Sequence, residues 1–251
     1  MSELNSVHQH YEQLLADHYE WMFAAPVDEL VARQKRALRD AGIEERPGGL
    51  ALDLGCGSGF QSLALQELGY EVLALDNSEK LLAKLARRAG AAGITTRLAD
   101  IRRLDDLVAR ESFHVAVCMG DTLTHLPHRE DVSGLFRAVA RALAPRGRFV
   151  LSYRDLAATE RLGLERFIPV HGDAERVMTC FLEYDQAESV RVTDLIHTRS
   201  GSGEWSLNKS SYRKLRLAAD WVGEALLTAG LAPSLRRNGE LCTVVADKPA
   251  P

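Results

Sequence analysis

Between residues 50 and 153, short apolar runs alternate with stretches whose apolar residues recur at helical spacing. Strands that are apolar throughout are buried on both faces, and a helix between successive strands makes them parallel with a right-handed crossover. The pattern therefore predicts an α/β fold with an open, doubly wound, Rossmann-like and mostly parallel sheet. The predicted strands are Leu50–Leu54, Glu71–Leu75, Thr95–Ala99, His114–Met119 and Arg148–Tyr153, and the predicted helices are Gly59–Leu68, Ser78–Gly90 and Asp131–Leu143.

The segment before this core, residues 1–46, combines helical spacing with a dense aromatic cluster. Its apolar positions predict an amphipathic helix over Val27–Ala41. The cluster upstream, with Tyr11, Tyr19 and Trp21, is either a lid over a ligand site or a hydrophobic staple for that helix. In the first interpretation, residues 1–46 form an N-terminal helical lid.

After the fifth predicted strand the alternation of strands and helices stops, and it resumes near the C-terminus. Polar and apolar residues alternate between turn signals, which predicts a small antiparallel β meander inserted at residues 155–210. Residues 47–154 and 211–251 then form one Rossmann-like domain. The predicted meander strands are Val177–Tyr184, Ser189–His197 and Glu204–Asn208, followed by a helix at Leu215–Ala229 and strands near Ala232–Arg236 and Leu241–Asp247.

Charge and cysteine spacing limit the partners of the chain. The 31 Lys and Arg against 35 Asp and Glu give a net charge of −4, and no basic block is present, so we expect no nucleic-acid partner. No apolar run reaches the roughly 18 residues of a membrane span, and we expect no membrane partner. The meander is a surface through which two copies could form a homo-oligomer. Reduced thiols in a cytoplasmic protein are predicted for the widely spaced Cys56, Cys118, Cys180 and Cys242.

The most specific motif is Asp53-Leu54-Gly55-Cys56-Gly57-Ser58-Gly59, where a strand runs into alternate glycines and then into a helix. Such a turn brings the backbone close to a ligand and directs helix N–H groups at it. A dinucleotide fingerprint needs a third glycine at position 60, and that position holds Phe60. This argues against the alternative of a nicotinamide-dependent oxidoreductase.

Two carboxylates follow the next two predicted strands. Asp76 lies 17 residues after Gly59, where a carboxylate can accept hydrogen bonds from both hydroxyls of a ribose. Asp100 ends the third strand and can face an adenine amino group. For both residues, the alternative role is a helix N-cap.

These motifs resemble, in order and spacing, those of the class I S-adenosylmethionine-dependent methyltransferases. The resemblance implies S-adenosylmethionine as the cofactor, with the glycine loop near its methionine part. It also implies that Asp76 holds the ribose and that Asp100 and Ile101 flank the adenine. The expected cofactor contacts are Tyr19, Asp53, Gly55, Cys56, Gly57, Gly59, Asp76, Asn77, Asp100, Ile101 and Met119.

The stretch Gly120–Pro127, after the fourth strand, is expected at the ligand-binding edge of the sheet. It is not similar to Asn-Pro-Pro-Tyr, which counts against methylation of nucleobases. Together with Arg154 it resembles the glycine N-methyltransferase and glycine/sarcosine methyltransferase group, and this implies that Arg154 clamps a carboxylate of the acceptor. The alternative for Arg154 is a salt bridge to Asp155 or Glu183.

Asp121 stands where the group has asparagine, a change that either favours a cationic acceptor or alters hydrogen bonding in the loop. We predict Asp121 and His125 as candidate catalytic bases, although His125 could instead cap the following helix. A metal site among His125, His128, Glu130 and Asp131 is disfavoured by the turn at Pro127, and no metal is expected. The expected substrate contacts are Tyr11, Asp121, His125, Arg154 and Tyr212.

The resemblance implies a methyltransferase that acts on a small molecule. We predict N-methylation of an amino-acid-like or amine metabolite. The alternatives are O-, S- or C-methylation of another metabolite, or a non-catalytic protein that binds the cofactor.

Overall fold

The computed structural model describes residues 6–90 and 93–250. Its helices are α1 (Val7–His10), α2 (Ala16–His18), α3 (Val27–Asp40), α4 (Phe60–Glu67), α5 (Glu79–Ala89), α6 (Leu104–Leu107), α7 (Arg129–Ala142) and α8 (Ala219–Thr228). Its strands are β1 (Gly49–Leu54), β2 (Tyr70–Asp76), β3 (Ile94–Leu98), β4 (Phe113–Cys118), β5 (Leu143–Arg154), β6 (Phe167–Gly172), β7 (Arg176–Glu183), β8 (Ser189–Arg199), β9 (Trp205–Leu215), β10 (Ala232–Asn238) and β11 (Leu241–Asp247).

The large sheet has seven strands in the order β10-β11-β5-β4-β1-β2-β3. Strands β1 to β5 are parallel, and β11 and β10 add an antiparallel edge. One apolar cluster packs α7 and α8 on one face of the sheet, and a second packs α3, α4 and α5 on the other. This confirms the predicted doubly wound fold. None of the helices in the described part of the chain has the length and apolar character needed to cross a bilayer.

The small antiparallel sheet is larger than the sequence pattern predicts. It has four strands in the order β6-β7-β8-β9, and β6 was not expected. Most side chains of β6 are exposed, and the strand contains Pro169, so its sequence has no clear alternation. Strand β9 pairs with β8 as far as Leu215 and Ser189, past the expected boundary at residue 210. The helix predicted from Leu215 therefore begins only at Ala219, because strand pairing extends into its expected first turn.

The N-terminal part separates into two pieces with different roles. Helix α3 packs in the core cluster through Val31 and Leu38, so it is part of the domain built on the large sheet rather than of a lid. Residues 6–23, which we call the lid segment, bridge the two sheets. Leu14 and Leu15 pack against β7 and β8 of the small sheet. The contacts of the lid segment with α5 include Lys80 with Asp17 at 2.9 Å, Lys84 with the Ala16 carbonyl at 2.6 Å and Arg88 with Glu20 at 2.6 Å.

The turn from β1 into α4 depends on glycine at Gly59, which caps α4 with φ of +93°. A Cβ atom there would lie 2.2 Å from Cδ1 of Leu85, which is fully buried in the core. Side chains at positive φ are strained, and here the added atom also meets a packed neighbour.

We therefore expect Gly59→Ala to lower the free energy of unfolding more than Gly48→Ala does. Gly48 also has positive φ, of +73°, but a Cβ there meets nothing within 4 Å. Strain alone costs about 1–2 kcal/mol, and overpacking at Gly59 adds about 1–3 kcal/mol. Urea titration of the two variants measures the difference, and equal losses would contradict this packing argument.

Candidate functional site

The glycine loop is held against the end of β2. The amides of Gly55 and Cys56 donate to the Leu75 carbonyl at 2.8 and 3.0 Å. The Gly57 amide donates to Oδ2 of Asp76 at 2.8 Å, and the Ser78 amide donates to Oδ1 at 2.8 Å. Burial raises the pKa of Asp76, while these amides oppose the shift by bonding the charged form. Asp76 thus fixes the loop and keeps further acceptor capacity.

The alternative role of a helix N-cap is wrong for Asp76 and is confirmed for Asp100. Helix α5 is capped by Ser78, whose hydroxyl accepts from the Leu81 amide, so Asp76 is not the cap. Asp100, in contrast, accepts from the Arg102 amide at 2.9 Å and caps a short helical turn. It also pairs with the Arg102 guanidinium, which lowers the pKa of the Asp100 carboxyl.

A cavity of about 700 Å³ runs from the glycine loop to the loop after β4. Of the expected cofactor residues, those on its wall are Tyr19, Gly55, Gly57, Asp76, Asn77, Asp100 and Ile101. Of the expected substrate residues, Tyr11 and His125 line it. One continuous space therefore joins the two groups of predicted contacts.

The other expected cofactor residues lie behind the wall. Asp53 is buried and accepts from the Ser62 hydroxyl at 2.6 Å, and burial raises its pKa to about 7. Cys56 is buried in the loop, Gly59 caps α4, and the partly buried Met119 packs against the core cluster that includes α3, α4 and α5. These four residues shape the loop and its support.

Aromatic side chains of the lid segment cover the glycine loop. A Cβ on Gly57 would lie 3.1 Å from the Tyr19 hydroxyl, and the Tyr19 ring stacks on Phe60 with centroids 6.2 Å apart. The centre of the Tyr11 ring lies 6.1 Å from that of the Tyr19 ring. Trp21 instead donates from its indole to Asp173, in the turn between β6 and β7, at 2.5 Å. The tyrosines are placed as a lid, whereas Trp21 anchors the segment.

His125 is a neutral side chain with a free ring nitrogen. Its ring lies 5.7 Å from that of Tyr11 and 5.6 Å from that of Tyr212, measured between centroids. Nε2 is buried and has no hydrogen-bond partner among the described residues. Burial, and then the charge of Lys214, lower the pKa of His125 to about 3. His128, rather than His125, occupies the N-cap position of α7.

Asp121 and Arg154 pair with each other and do not line the cavity. The backbone amide of Arg154 donates to Asp121 at 3.2 Å, and its guanidinium bonds the same carboxylate. Lys214 donates to Asp121 at 2.8 Å from the other side. Although burial raises the pKa of the Asp121 carboxyl, Lys214 and Arg154 outweigh it and hold the pKa below its usual range. Asp121 is therefore a poor base, and its charge is neutralised.

The partners considered for Arg154 in the sequence were wrong. Asp155 pairs with Arg237 at 2.8 Å, and Arg154 takes Asp121 instead. Tyr212, also expected to contact substrate, is 3% exposed and packs behind His125. Among the described residues, no group of three His, Cys, Asp or Glu side chains is arranged to hold a metal ion.

Sequence reasoning missed the outer wall of the cavity. The small sheet and the turn between β7 and β8 contribute Gln186, Glu188, Ser189 and Arg213. Arg213 is fixed by bonds to Asp185 at 2.9 Å and to the Ser189 hydroxyl at 3.1 Å. These residues are distant in sequence from every motif, so no local pattern marks them.

Residues 51–147 match the model of a protein family described as a methyltransferase domain. Among curated proteins, the ubiquinone biosynthesis O-methyltransferase of Xanthomonas oryzae is 36% identical over 107 residues, which are 42% of this chain and 43% of that protein. The cypemycin N-terminal methyltransferase of a Streptomyces species is 34% identical over 116 residues, 46% of each protein. The matched segments span less than half the length of these curated relatives.

The likeness to solved structures extends over nearly the whole chain. The sugar N-methyltransferase KedS8 from a Streptoalloteichus species has a TM-score of 0.74, with 99% of this chain and 96% of that one covered. At 15% identity this likeness shows the fold. Residues 51–147 thus match a methyltransferase domain, and the whole chain has the fold of the class I S-adenosylmethionine-dependent methyltransferases.

Proposed function

We propose that the protein transfers a methyl group from S-adenosylmethionine to a small-molecule acceptor. The observation that carries this proposal is the continuous cavity under the lid segment, which runs from Gly57 and Asp76 to His125. A donor bound at one end and an acceptor at the other would share one enclosed space. Alignment of this kind is the main requirement of a displacement at an activated carbon.

The residues present fit the cofactor. Asp76 has a carboxylate on the cavity wall for ribose hydroxyls. Gly55 and Gly57 also lie on this wall, and their missing Cβ atoms let Thr122 and Tyr19 approach the backbone of the loop closely. Phe60 occupies the position where a pyrophosphate cradle needs glycine. When bound, S-adenosylmethionine supplies a methyl group on a positively charged sulfur, already activated for transfer.

Residues of this chain have three tasks at the acceptor end. Tyr11 and Tyr19 cover the site and exclude water. His125, with a pKa of about 3, is too weak a base to hold a proton at neutral pH, so its unprotonated ring nitrogen is suited to accept a hydrogen bond from the acceptor. Asp121, with its two cations, does not take the proton in this proposal.

The proposed acceptor is an amino-acid-like or amine metabolite, methylated on nitrogen. A neutral His125 supports this, because it can accept from an amine N–H and leave the nitrogen lone pair free. Similar proteins named for N-terminal and sugar N-methylation add support, whereas the ubiquinone O-methyltransferase supports O-methylation as the second candidate. With Asp121 neutralised, its charge gives no reason to prefer a cationic acceptor.

Membership of the glycine-methylating group depends on Arg154. To clamp an acceptor carboxylate, its guanidinium, which is 57% exposed, would have to leave Asp121 to Lys214. We propose a small molecule as the partner, and neither a nucleic acid nor a membrane. The cytoplasmic location and the formation of a homo-oligomer stay predictions.

A screen of amino acids, amines, phenols and thiols for release of S-adenosylhomocysteine tests the proposed function. We expect turnover with an amine-bearing compound. Turnover confined to phenols or catechols would replace N-methylation with O-methylation. Calorimetric binding of a nicotinamide dinucleotide, without binding of either sulfur ligand, would refute the methyltransferase assignment.

Asp76→Asn and Asp76→Ala are expected to weaken S-adenosylhomocysteine binding about 10- to 100-fold, since a charged acceptor of two hydroxyls is worth about 1.5–3 kcal/mol. Asp76 also holds the Gly57 amide, so both variants need a melting temperature beside the calorimetric affinity. Asp106→Asn, at an exposed carboxylate, is the matched control. Wild-type affinity together with a lowered melting temperature would show that Asp76 only supports the loop.

Charge reversal between the lid segment and α5 is expected to speed cofactor release. Arg88 bonds both Glu20 oxygens at 2.6 Å, and partly exposed pairs contribute about 0.2–1 kcal/mol, so Arg88→Glu should raise the dissociation rate about two- to fivefold. The swapped variant Glu20→Arg/Arg88→Glu should restore it. Stopped-flow displacement measures the rates, with Arg87→Glu on the same helix as control. Equal rates in Arg88→Glu and Arg87→Glu would show that the ion pair of Arg88 and Glu20 does not hold the lid segment closed.

A further inference from the structure

Arg129 is a cation on the cavity wall that has no carboxylate partner in the described part of the chain. The wall carries two further arginines, and each of them is paired with an acid. Arg102 bonds Asp100 at 2.9 Å, and Arg213 bonds Asp185 at 2.9 Å. Among the described residues, Arg129 is thus the wall arginine whose charge the protein leaves unpaired.

The guanidinium of Arg129 is held in place although it lacks a carboxylate. Arg129 is the first residue of α7, and its Nη2 donates to the Arg216 carbonyl at 3.1 Å. Its Cζ lies 5.3 Å from the centre of the Trp221 ring. A guanidinium has five N–H groups. The Arg216 carbonyl uses one of them and Nε is buried, so the other N–H groups of Nη1 and Nη2 are those left for a ligand.

Arg129 lies beside the outer wall of the cavity, which the small sheet forms. The Arg216 carbonyl that it bonds directly follows Leu215, the last residue of β9, and Leu215 also lines the cavity. The proposed donor occupies the glycine loop and Asp76, on the large sheet. The unpaired guanidinium is therefore available to the acceptor rather than to the cofactor.

Two carboxylates also line the cavity next to Arg129. Glu130 follows it on α7, and the Glu188 carbonyl accepts from the Arg216 amide at 2.9 Å. Both side chains are exposed, whereas Arg129 is partly buried and held by two contacts. Water and salt screen exposed charges more strongly than partly buried ones. The fixed charge that this part of the wall offers to a ligand is therefore positive.

We propose that Arg129 selects the methyl acceptor by binding its carboxylate, so that the amine points along the cavity toward the donor. A guanidinium and a carboxylate form two parallel hydrogen bonds, which orient the ligand as well as hold it. The inference rests on the proposed function and narrows its acceptor to amino acids, excluding plain amines. It also gives the acid-binding role expected of Arg154 to another arginine, because Arg154 is bound to Asp121.

The test compares three forms of one acceptor: an amino acid, its amide and the amine that lacks its carboxylate. The amide keeps the size of the acid and removes its charge. The first sets are built on glycine and on phenylalanine, and further sets on any other compound that the wild type methylates. Steady-state release of S-adenosylhomocysteine gives kcat and KM for each form. We expect kcat/KM of the acid to exceed that of its amide about 10- to 100-fold, the worth of a charge-assisted bond.

Three variants of the full chain test whether this preference belongs to Arg129. Arg129→Gln should raise KM for the acid about 10- to 100-fold and change KM for the amide far less. Arg129→Lys keeps the charge but loses the paired bonds, so its KM should lie between those of the wild type and Arg129→Gln. Arg137→Gln, at an exposed position of the same helix, is the matched control and should behave as the wild type.

Several results would overturn the inference. Amides or plain amines that are methylated as well as the acids would show that Arg129 does not select the acceptor. An acid preference that persists in Arg129→Gln would assign it to another residue, and equal losses for acid and amide would indicate a structural role. The wild type alone decides the first point, so the inference stays testable if a variant does not fold.

Failure of the proposed function has a different signature. If the wild type methylates no compound of the wider screen, the proposed function is refuted. Calorimetry with the same amino acids and amides on the complex with S-adenosylhomocysteine then decides the role of Arg129. Binding of an acid but not of its amide, lost in Arg129→Gln and kept in Arg137→Gln, would support that role, and no preference for the acid would overturn it.

Discussion

The bond between the Gly57 amide and the Asp76 carboxylate, at 2.8 Å, joins the ends of two adjacent strands and fixes the floor of the site. A parallel sheet brings the carboxyl ends of β1 and β2 to the same edge, so the contact follows from topology. The Ser78 amide on the same carboxylate then sets the start of α5. The bonds to this one carboxylate thus position the glycine loop, the start of α5 and the acidic side chain on the cavity wall.

The small sheet and the lid segment depend on this floor and complete the cavity from above. Tyr19 packs where a Cβ on Gly57 would be, and the buried pair of His10 and Asp194 ties the lid segment to β8. The acceptor end is therefore built from three elements distant in sequence, and the charge of the loop after β4 is paired within the protein. The imidazole of His125 lies on the cavity wall, and its Nε2 is buried without a hydrogen-bond partner among the described residues.

The sequence predicted the large sheet well because its strands are apolar throughout and its helices are amphipathic, patterns that depend on local spacing. It predicted the glycine loop and Asp76 because strand, turn and helix follow one another directly. Strand β6 was missed because its exposed side chains and Pro169 have no alternation. The pairing of Asp121 with Lys214, 93 residues apart, was missed since only tertiary structure brings β9 to that loop. For the same reason, Arg154 was expected in the cavity rather than on Asp121.

The most direct test of this account is a crystal structure of the protein with S-adenosylhomocysteine. The account predicts that the ribose hydroxyls bond Asp76 and that the sulfur points along the cavity toward His125, under Tyr11 and Tyr19. A ligand that leaves Asp76 without a contact, or whose sulfur faces away from His125, would contradict it.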